Sequence, residues 1–129
     1  MNEYEVIVVG AGPCGLSVAI EAKGANLSYL VIDKGSITES IRRYPVNMVF
    51  FSTSENIEIG NVPFVSMGMR PNRTEALKYY RKVVSHFDLN LQLFTCVEDI
   101  SKKKDVFVLK TNKGIWKARK IVLSTGYYD

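Results

Sequence analysis

Gly10-Ala11-Gly12-Pro13-Cys14-Gly15 is the segment that most limits what this chain can become. It follows directly on Glu5-Val6-Ile7-Val8-Val9, a short β-branched apolar run of the kind that forms a buried strand. It opens the segment Leu16–Lys23, in which Leu16, Ala19, Ile20 and Lys23 recur at helical spacing before Gly24. Ser28-Tyr29-Leu30-Val31-Ile32 is a second apolar run, ending at Asp33. A strand, a helix and a strand within about 30 residues form a βαβ unit, with parallel strands and a right-handed crossover. In that setting Gly10 allows the tight turn, Gly12 lets backbone approach a pyrophosphate, and Gly15 lets helix and strand pack closely. Ala19 is the small residue that keeps the helix near the sheet. The helix N-terminus offers N–H groups and a partial positive charge to phosphate. Asp33 stands where a carboxylate can accept both ribose hydroxyls. The pattern predicts an α/β, three-layer Rossmann-type domain that holds a dinucleotide.

The rest of the chain supplies the remaining strands. Asn72 to Asp88 reads as a helix capped by Asn72 or Thr74, with Glu75 at its positive end and a stripe of Leu77, Tyr80, Val84 and Phe87. Leu91–Phe94 is a third short strand. Val106–Thr111 and Ile115–Lys117 flank Asn112-Lys113-Gly114 as a hairpin, and Ile121-Val122-Leu123 is a last buried strand. The expected sheet order is Leu91–Phe94, Ser28–Ile32, Tyr4–Val9, Ile121–Ser124, with the Val106–Lys117 hairpin packed to one side. Gly35 to Arg70 shows no clear period. A loop that long in a compact domain is functional or hides short elements.

Composition narrows the class further. The chain has 129 residues, enough for one domain with its own core. Its net charge is +4, but the densest basic cluster, Lys102-Lys103-Lys104, is short and reads as a solvated turn, so no nucleic-acid partner is expected. No apolar run approaches the roughly 18 residues that cross a bilayer, and the first strand leaves no room for a signal peptide, so no membrane partner is expected. Cys14 and Cys96 make neither a disulfide framework nor a metal-ligand spacing. A cytoplasmic location and no metal site are the expectation. Cys96 reads as a core residue, and His86 as a surface or half-buried one.

The carboxylate of Asp33 disfavours a 2′-phosphate, which leaves NAD and FAD. Pro13 after the second glycine is common in flavoproteins. The Phe50–Ser54 loop can place hydroxyls near an isoalloxazine, and Ser124-Thr125-Gly126 looks like the "ATG" segment of two-dinucleotide flavoproteins. These features favour FAD.

Taken together, Gly10–Ser17, Glu39-Ser40-Ile41 with Tyr44-Pro45, Phe50-Phe51-Ser52, Ile59–Phe64, Glu75–Arg81 and Thr125-Gly126-Tyr127-Tyr128 resemble the YpdA family over essentially the whole chain. These are FAD-containing, NADPH-dependent bacillithiol-disulfide reductases related to thioredoxin reductase. The resemblance implies that Gly10, Gly12, Pro13, Cys14 and Gly15 cradle the FAD pyrophosphate. It implies that Asp33 holds the adenosine ribose with Lys34 beside it, and that backbone at Val97 meets adenine. It places Ser52 and Thr53 near the flavin, and Thr125 and Gly126 over the dinucleotide.

The resemblance further implies flavin-dependent reduction of a low-molecular-weight disulfide by NADPH, with Cys14 as the catalytic thiol. Helix N-termini favour thiolates, although a phosphate on the same turn opposes one, and a small buried filler would also suit the position. The family plan has two dinucleotide domains. This chain, residues 1–129, matches the first segment of the FAD-binding domain, without a second GxGxxG for NADPH and without the later FAD segment. A small-molecule thiol or disulfide is the implied partner, and a homo-oligomer is compatible with it. A flavin monooxygenase-like enzyme and a non-catalytic dinucleotide-binding fragment are the alternatives.

Overall fold

A computed structural model describes residues 3–45, 48–50 and 53–125. Ten elements follow in the order β1 (Glu3–Val9), α1 (Pro13–Gly24), β2 (Tyr29–Ile32), α2 (Glu39–Arg42), α3 (Ser54–Ile57), α4 (Arg73–Phe87), β3 (Leu91–Gln92), β4 (Val97–Lys103), β5 (Val106–Thr111) and β6 (Gly114–Leu123). One mixed sheet runs β3-β2-β1-β6-β5-β4. β1 pairs in parallel with β2 and β6, and β2 with β3. β4, β5 and β6 form an antiparallel meander.

Strands with both faces covered read as continuous apolar runs, because each face has its own core to fill. β1 shows this directly. Val8 joins Leu16, Ala19, Val31 and the α4 side chains Leu77, Tyr80 and Val83 on the helical face. Its neighbour Ile7 points the other way, into a cluster with Leu30, Ile32, Leu109 and Ala118. The three layers are therefore helices, parallel strands and meander, and this is the Rossmann-type fold expected from the glycine segment.

Two expectations about strands need correction. Ile115–Lys117 and Ile121–Leu123 are halves of one ten-residue strand, β6. Its first half pairs with β5 and its second half continues along β1, so the hairpin is hydrogen-bonded into the same sheet while its Leu109 packs over Ile7, Leu30 and Ile32. Val97–Lys103 is a strand that the sequence reading missed. Its side chains are almost all exposed, so β4 carries no apolar run to reveal it. Lys102 and Lys103 end this strand, and the turn itself falls on Lys104 and Asp105, with Lys104 at φ 57°.

Helix α4 forms where its cap predicts. The Asn72 side chain accepts from the Glu75 N–H at 2.8 Å, and the Glu75 carboxylate accepts from the Asn72 N–H at 3.0 Å, a complete capping box. Its buried face is Ala76, Leu77, Tyr79, Tyr80 and Val83, with Val84 and Phe87 only half-buried. His86 is exposed and meets the Phe87 ring edge-on. The stretch from Gly35 to Arg70 holds two single-turn helices, α2 and α3, too short to show a period.

Candidate functional site

The glycine turn is built by close backbone contact at the C-terminal ends of β1, β2 and β6. Gly10 sits at φ 115°, and a Cβ there would lie 2.2 Å from the Ser124 carbonyl oxygen. A Cβ on Gly15 would lie 1.9 Å from the Gly10 carbonyl oxygen. Both positions therefore exclude any side chain. Gly12 differs: a Cβ there would meet nothing within 4 Å, because the residue faces an open cleft. Gly12 is the N-cap of α1 without a side-chain cap, and Pro13 occupies the first turn. The first-turn N–H groups of a helix have no intrahelical acceptor, so this end is suited to an anion.

Three neighbours lock the turn in place. Asp33 Oδ2 accepts from the Ala11 N–H at 2.6 Å, and Oδ1 accepts from the Gly35 N–H at 2.7 Å. Ser124 donates from its N–H to the Val9 carbonyl at 2.8 Å, and its hydroxyl lies 3.1 Å from the Val9 and Gly10 carbonyl oxygens. Thr38 donates its N–H to the Ala11 carbonyl at 2.9 Å. Thr38 is fully buried at φ 50°, an unusual place for a β-branched residue. No sequence pattern marks Thr38, because its contact is made by its backbone N–H.

The cleft in front of the turn has a volume of about 820 Å³, within the roughly 300–1,000 Å³ of ligand-binding clefts. Gly10, Gly12, Pro13, Cys14, Asp33, Lys34, Val97 and Thr125 all line it. Gly15 lies behind the turn, where it sets the packing of α1. Thr53 is the N-cap of α3 and is not part of the lining. Ser52 and Gly126 lie outside the described residues. Cys14 is exposed in the cleft. Cys96 corrects its expectation as a core residue: it too is exposed and lines the cleft, because it lies between the end of β3 and the start of β4 rather than inside a strand. Among the described residues no cluster of His, Cys, Asp and Glu could hold a metal ion, and no helix is long and apolar enough to cross a membrane.

The far wall was not foreseen. The Tyr79 and Tyr80 rings pack, Tyr79 stacking on Phe64 at 4.3 Å. Their hydroxyls do more. Tyr80 donates to the Ile57 carbonyl at 2.9 Å, and Tyr79 donates to the Val62 carbonyl at 2.7 Å while accepting from the Ile59 N–H at 2.8 Å. The pair thus ties to α4 a backbone segment whose Ile57, Glu58 and Ile59 line the cleft. Burial, and then the neighbouring Tyr79 and Cys14, push the Tyr80 phenol upward, so it stays a neutral donor.

Glu39 closes the near wall. Its Oε1 accepts from the Ser36 N–H and hydroxyl, each at 2.9 Å, and Oε2 accepts from Arg42 Nε at 2.8 Å. The Arg42 bond outweighs the opposing effect of burial and holds the carboxyl at about 2, below its ordinary 4.5. A lowered folded-state value contributes stability above the unfolded value, and this is lost as pH falls. The melting temperature of Glu39→Gln is therefore expected to lie below that of the parent at pH 6. The gap should close between pH 4.5 and about 2. A gap that persists unchanged to pH 2 would mean that packing, not charge, accounts for the loss.

The chain is similar to known proteins in sequence and in fold. The family model for pyridine nucleotide-disulphide oxidoreductases matches residues 7–129. The bacilliredoxin reductase Bdr of Bacillus subtilis (strain 168) is 40% identical over 130 residues, covering 100% of this chain and 40% of that protein. The solved bacillithiol disulfide reductase Bdr (YpdA) from Staphylococcus aureus superposes with a TM-score of 0.96 at 42% identity, covering 99% of this chain and 40% of that one. A flavin monooxygenase variant from Stenotrophomonas maltophilia superposes with a TM-score of 0.92 at 26% identity, covering 98% and 39%. The chain spans about two-fifths of the length of each of these relatives.

Proposed function

The chain belongs to the pyridine nucleotide-disulphide oxidoreductase family, and from that premise we propose that it is the FAD-binding portion of an NADPH-dependent reductase of low-molecular-weight disulfides. The observation that carries this reading is a single cleft lined by the glycine turn, Asp33 and the exposed thiol of Cys14. The similarity to two bacillithiol-type reductases at 40% and 42% identity supports it and points to bacillithiol disulfide as the substrate. Two free cysteines suit a reducing, cytoplasmic compartment.

The residues present fit FAD. The open face at Gly12 admits a pyrophosphate against the uncapped first turn of α1, which meets it with N–H groups and the positive end of the helix dipole. Asp33 already accepts one backbone N–H on each oxygen, and each oxygen keeps acceptor capacity for a ribose hydroxyl. Lys34 and Val97 line the same cleft, and backbone at Val97 would meet the adenine. Thr125 lines the β6 side of the cleft; the resemblance alone assigns Ser52 to the flavin and Gly126 to the dinucleotide, and Thr53, which does not line the cleft, is not carried forward. Bound there, FAD supplies a two-electron path from NADPH to the disulfide. Cys14 Sγ would attack one sulfur of the disulfide, breaking its S–S bond, expelling one thiolate and forming a mixed disulfide; two electrons originating from NADPH would then break that bond, releasing the second thiol and restoring the Cys14 thiol.

Flavin titration of the cofactor-free protein, followed by NADPH-driven thiol release in the full-length protein, tests the whole reading. Asp33→Ala is expected to weaken FAD binding by about 1.5–3 kcal/mol, through loss of an ionised acceptor. Lys34→Ala should weaken it less. Equal losses in the two variants would remove the ribose assignment. The likeness to a flavin monooxygenase favours a second reading, in which the same cofactor serves oxygen chemistry. Oxygen-dependent NADPH consumption with oxygenation of an added substrate, and no thiol release, would favour it.

A further inference from the structure

Arg43 stands at the wall of the cleft with no duty in the glycine turn. It lines the cleft together with Tyr44 and Phe50, whose rings meet edge-on at 6.0 Å. Its side chain is 66% exposed, and its ion pair is a single approach of Nε to Glu39 Oε2 at 3.4 Å. Glu39 is already committed elsewhere, to the Ser36 N–H and hydroxyl and to Arg42 through both Nε and Nη2. One carboxylate therefore faces two guanidinium groups, and the second of them, Arg43, is in excess. A long, exposed ion pair holds a side chain weakly. Arg43 can leave Glu39 for a better anion at little cost, while Arg42 cannot.

The chemistry of the wall names the anion. A guanidinium presents parallel N–H donors that match the paired oxygens of a carboxylate or a phosphate. The adjoining Tyr44 and Phe50 offer apolar surface to the carbon skeleton that bears it. The pyrophosphate has its own backbone donors at α1 and needs no side-chain cation from this segment. We propose that Arg43 determines specificity by selecting disulfides that carry carboxylates, binding that group while the disulfide reaches Cys14. This rests on the reading of the site as that of a low-molecular-weight disulfide reductase.

Steady-state kinetics of the full-length, FAD-loaded enzyme test it with two probes, bacillithiol disulfide as the carboxylate-bearing one and 2-hydroxyethyl disulfide as the neutral one. Arg43→Gln is expected to raise KM for bacillithiol disulfide about tenfold or more, the scale of one lost charged hydrogen bond, with kcat unchanged. KM for 2-hydroxyethyl disulfide should not move. Arg43→Lys should recover part of the loss, since it restores the charge without the fork. FAD content and flavin reduction by NADPH should match the parent in both variants. Loss of FAD from Arg43→Gln would assign the arginine to the cofactor and overturn the proposal, as would an equal rise in KM for both probes or no rise at all. A parent enzyme that turns over neither disulfide would overturn the reductase reading and this proposal with it. A parent that turns over both, with Arg43→Gln unaffected, would overturn the proposal alone.

Discussion

Gly12→Val is expected to abolish dinucleotide binding in a protein that still folds, whereas Gly15→Val is expected to prevent folding altogether. The two glycines share one motif and differ in what surrounds them. At Gly15 a Cβ would sit 1.9 Å from the Gly10 carbonyl oxygen and 2.7 Å from the Ser124 hydroxyl. The first of these is backbone in a turn held from three sides, so it cannot yield without separating α1 from the sheet. The cost should exceed about 4 kcal/mol, a large part of the stability of a domain this size. At Gly12 the backbone is at φ −81°, open to any residue, and a Cβ meets nothing within 4 Å. The loss of fold stability there should be about 1 kcal/mol, that of replacing a favourable N-cap. The valine methyls would instead occupy the space in front of the helix N–H groups that a pyrophosphate needs. Circular dichroism melting and flavin titration separate the effects. A Gly12→Val protein that binds FAD normally would remove the cofactor from this turn. One that fails to fold would make Gly12 a structural residue.

The contrast between these glycines also shows what a sequence can reveal about such a site. The order β3-β2-β1-β6 and the positions of α1 and α4 were legible because burial on both faces writes continuous apolar runs into β1 and β2, and because Asn72 and Glu75 announce their cap. β4 was illegible because its side chains face solvent and carry no period. β6 was split in two because its partners change halfway, from β5 to β1, and its exposed residues interrupt the apolar pattern there. Of the residues that line the cleft, Gly10, Gly12 and Asp33 stood out because glycines and an acid follow directly on the ends of strands, and Thr125 through the resemblance. Thr38, Glu39, Arg43 and Tyr80 did not, since each reaches the cleft through the Gly35–Arg70 segment or against it. Tertiary contacts, not local pattern, set the course of that segment. An acid followed by arginines at i+3 and i+4 is the local signal there, and it marks Glu39, Arg42 and Arg43.

Cys14→Ala is expected to separate the two halves of the proposed reaction in the full-length, FAD-loaded enzyme. Cys14 is the second residue of α1, exposed in the cleft, and its position makes two different demands. The helix needs only a residue small enough not to obstruct the turn, and alanine meets that demand while leaving every backbone N–H in place. FAD should bind as before, and flavin reduction by NADPH, which needs no thiol, should proceed at the parent rate. The disulfide demands more, because cleaving it requires a sulfur nucleophile to form the mixed disulfide and expel the first thiol. Thiol release should fall to the background rate. Stopped-flow absorbance reads flavin reduction and a thiol-specific dye reads the product, so the two are measured on one sample. If Cys14 serves only to fill space beside the phosphate turn, both half-reactions should survive with small changes from repacking. Normal disulfide turnover by Cys14→Ala would therefore end the nucleophile assignment. Loss of FAD from the variant would place the thiol among the cofactor's contacts instead. Only intact flavin reduction with no released thiol fits a Cys14 that exchanges with the substrate.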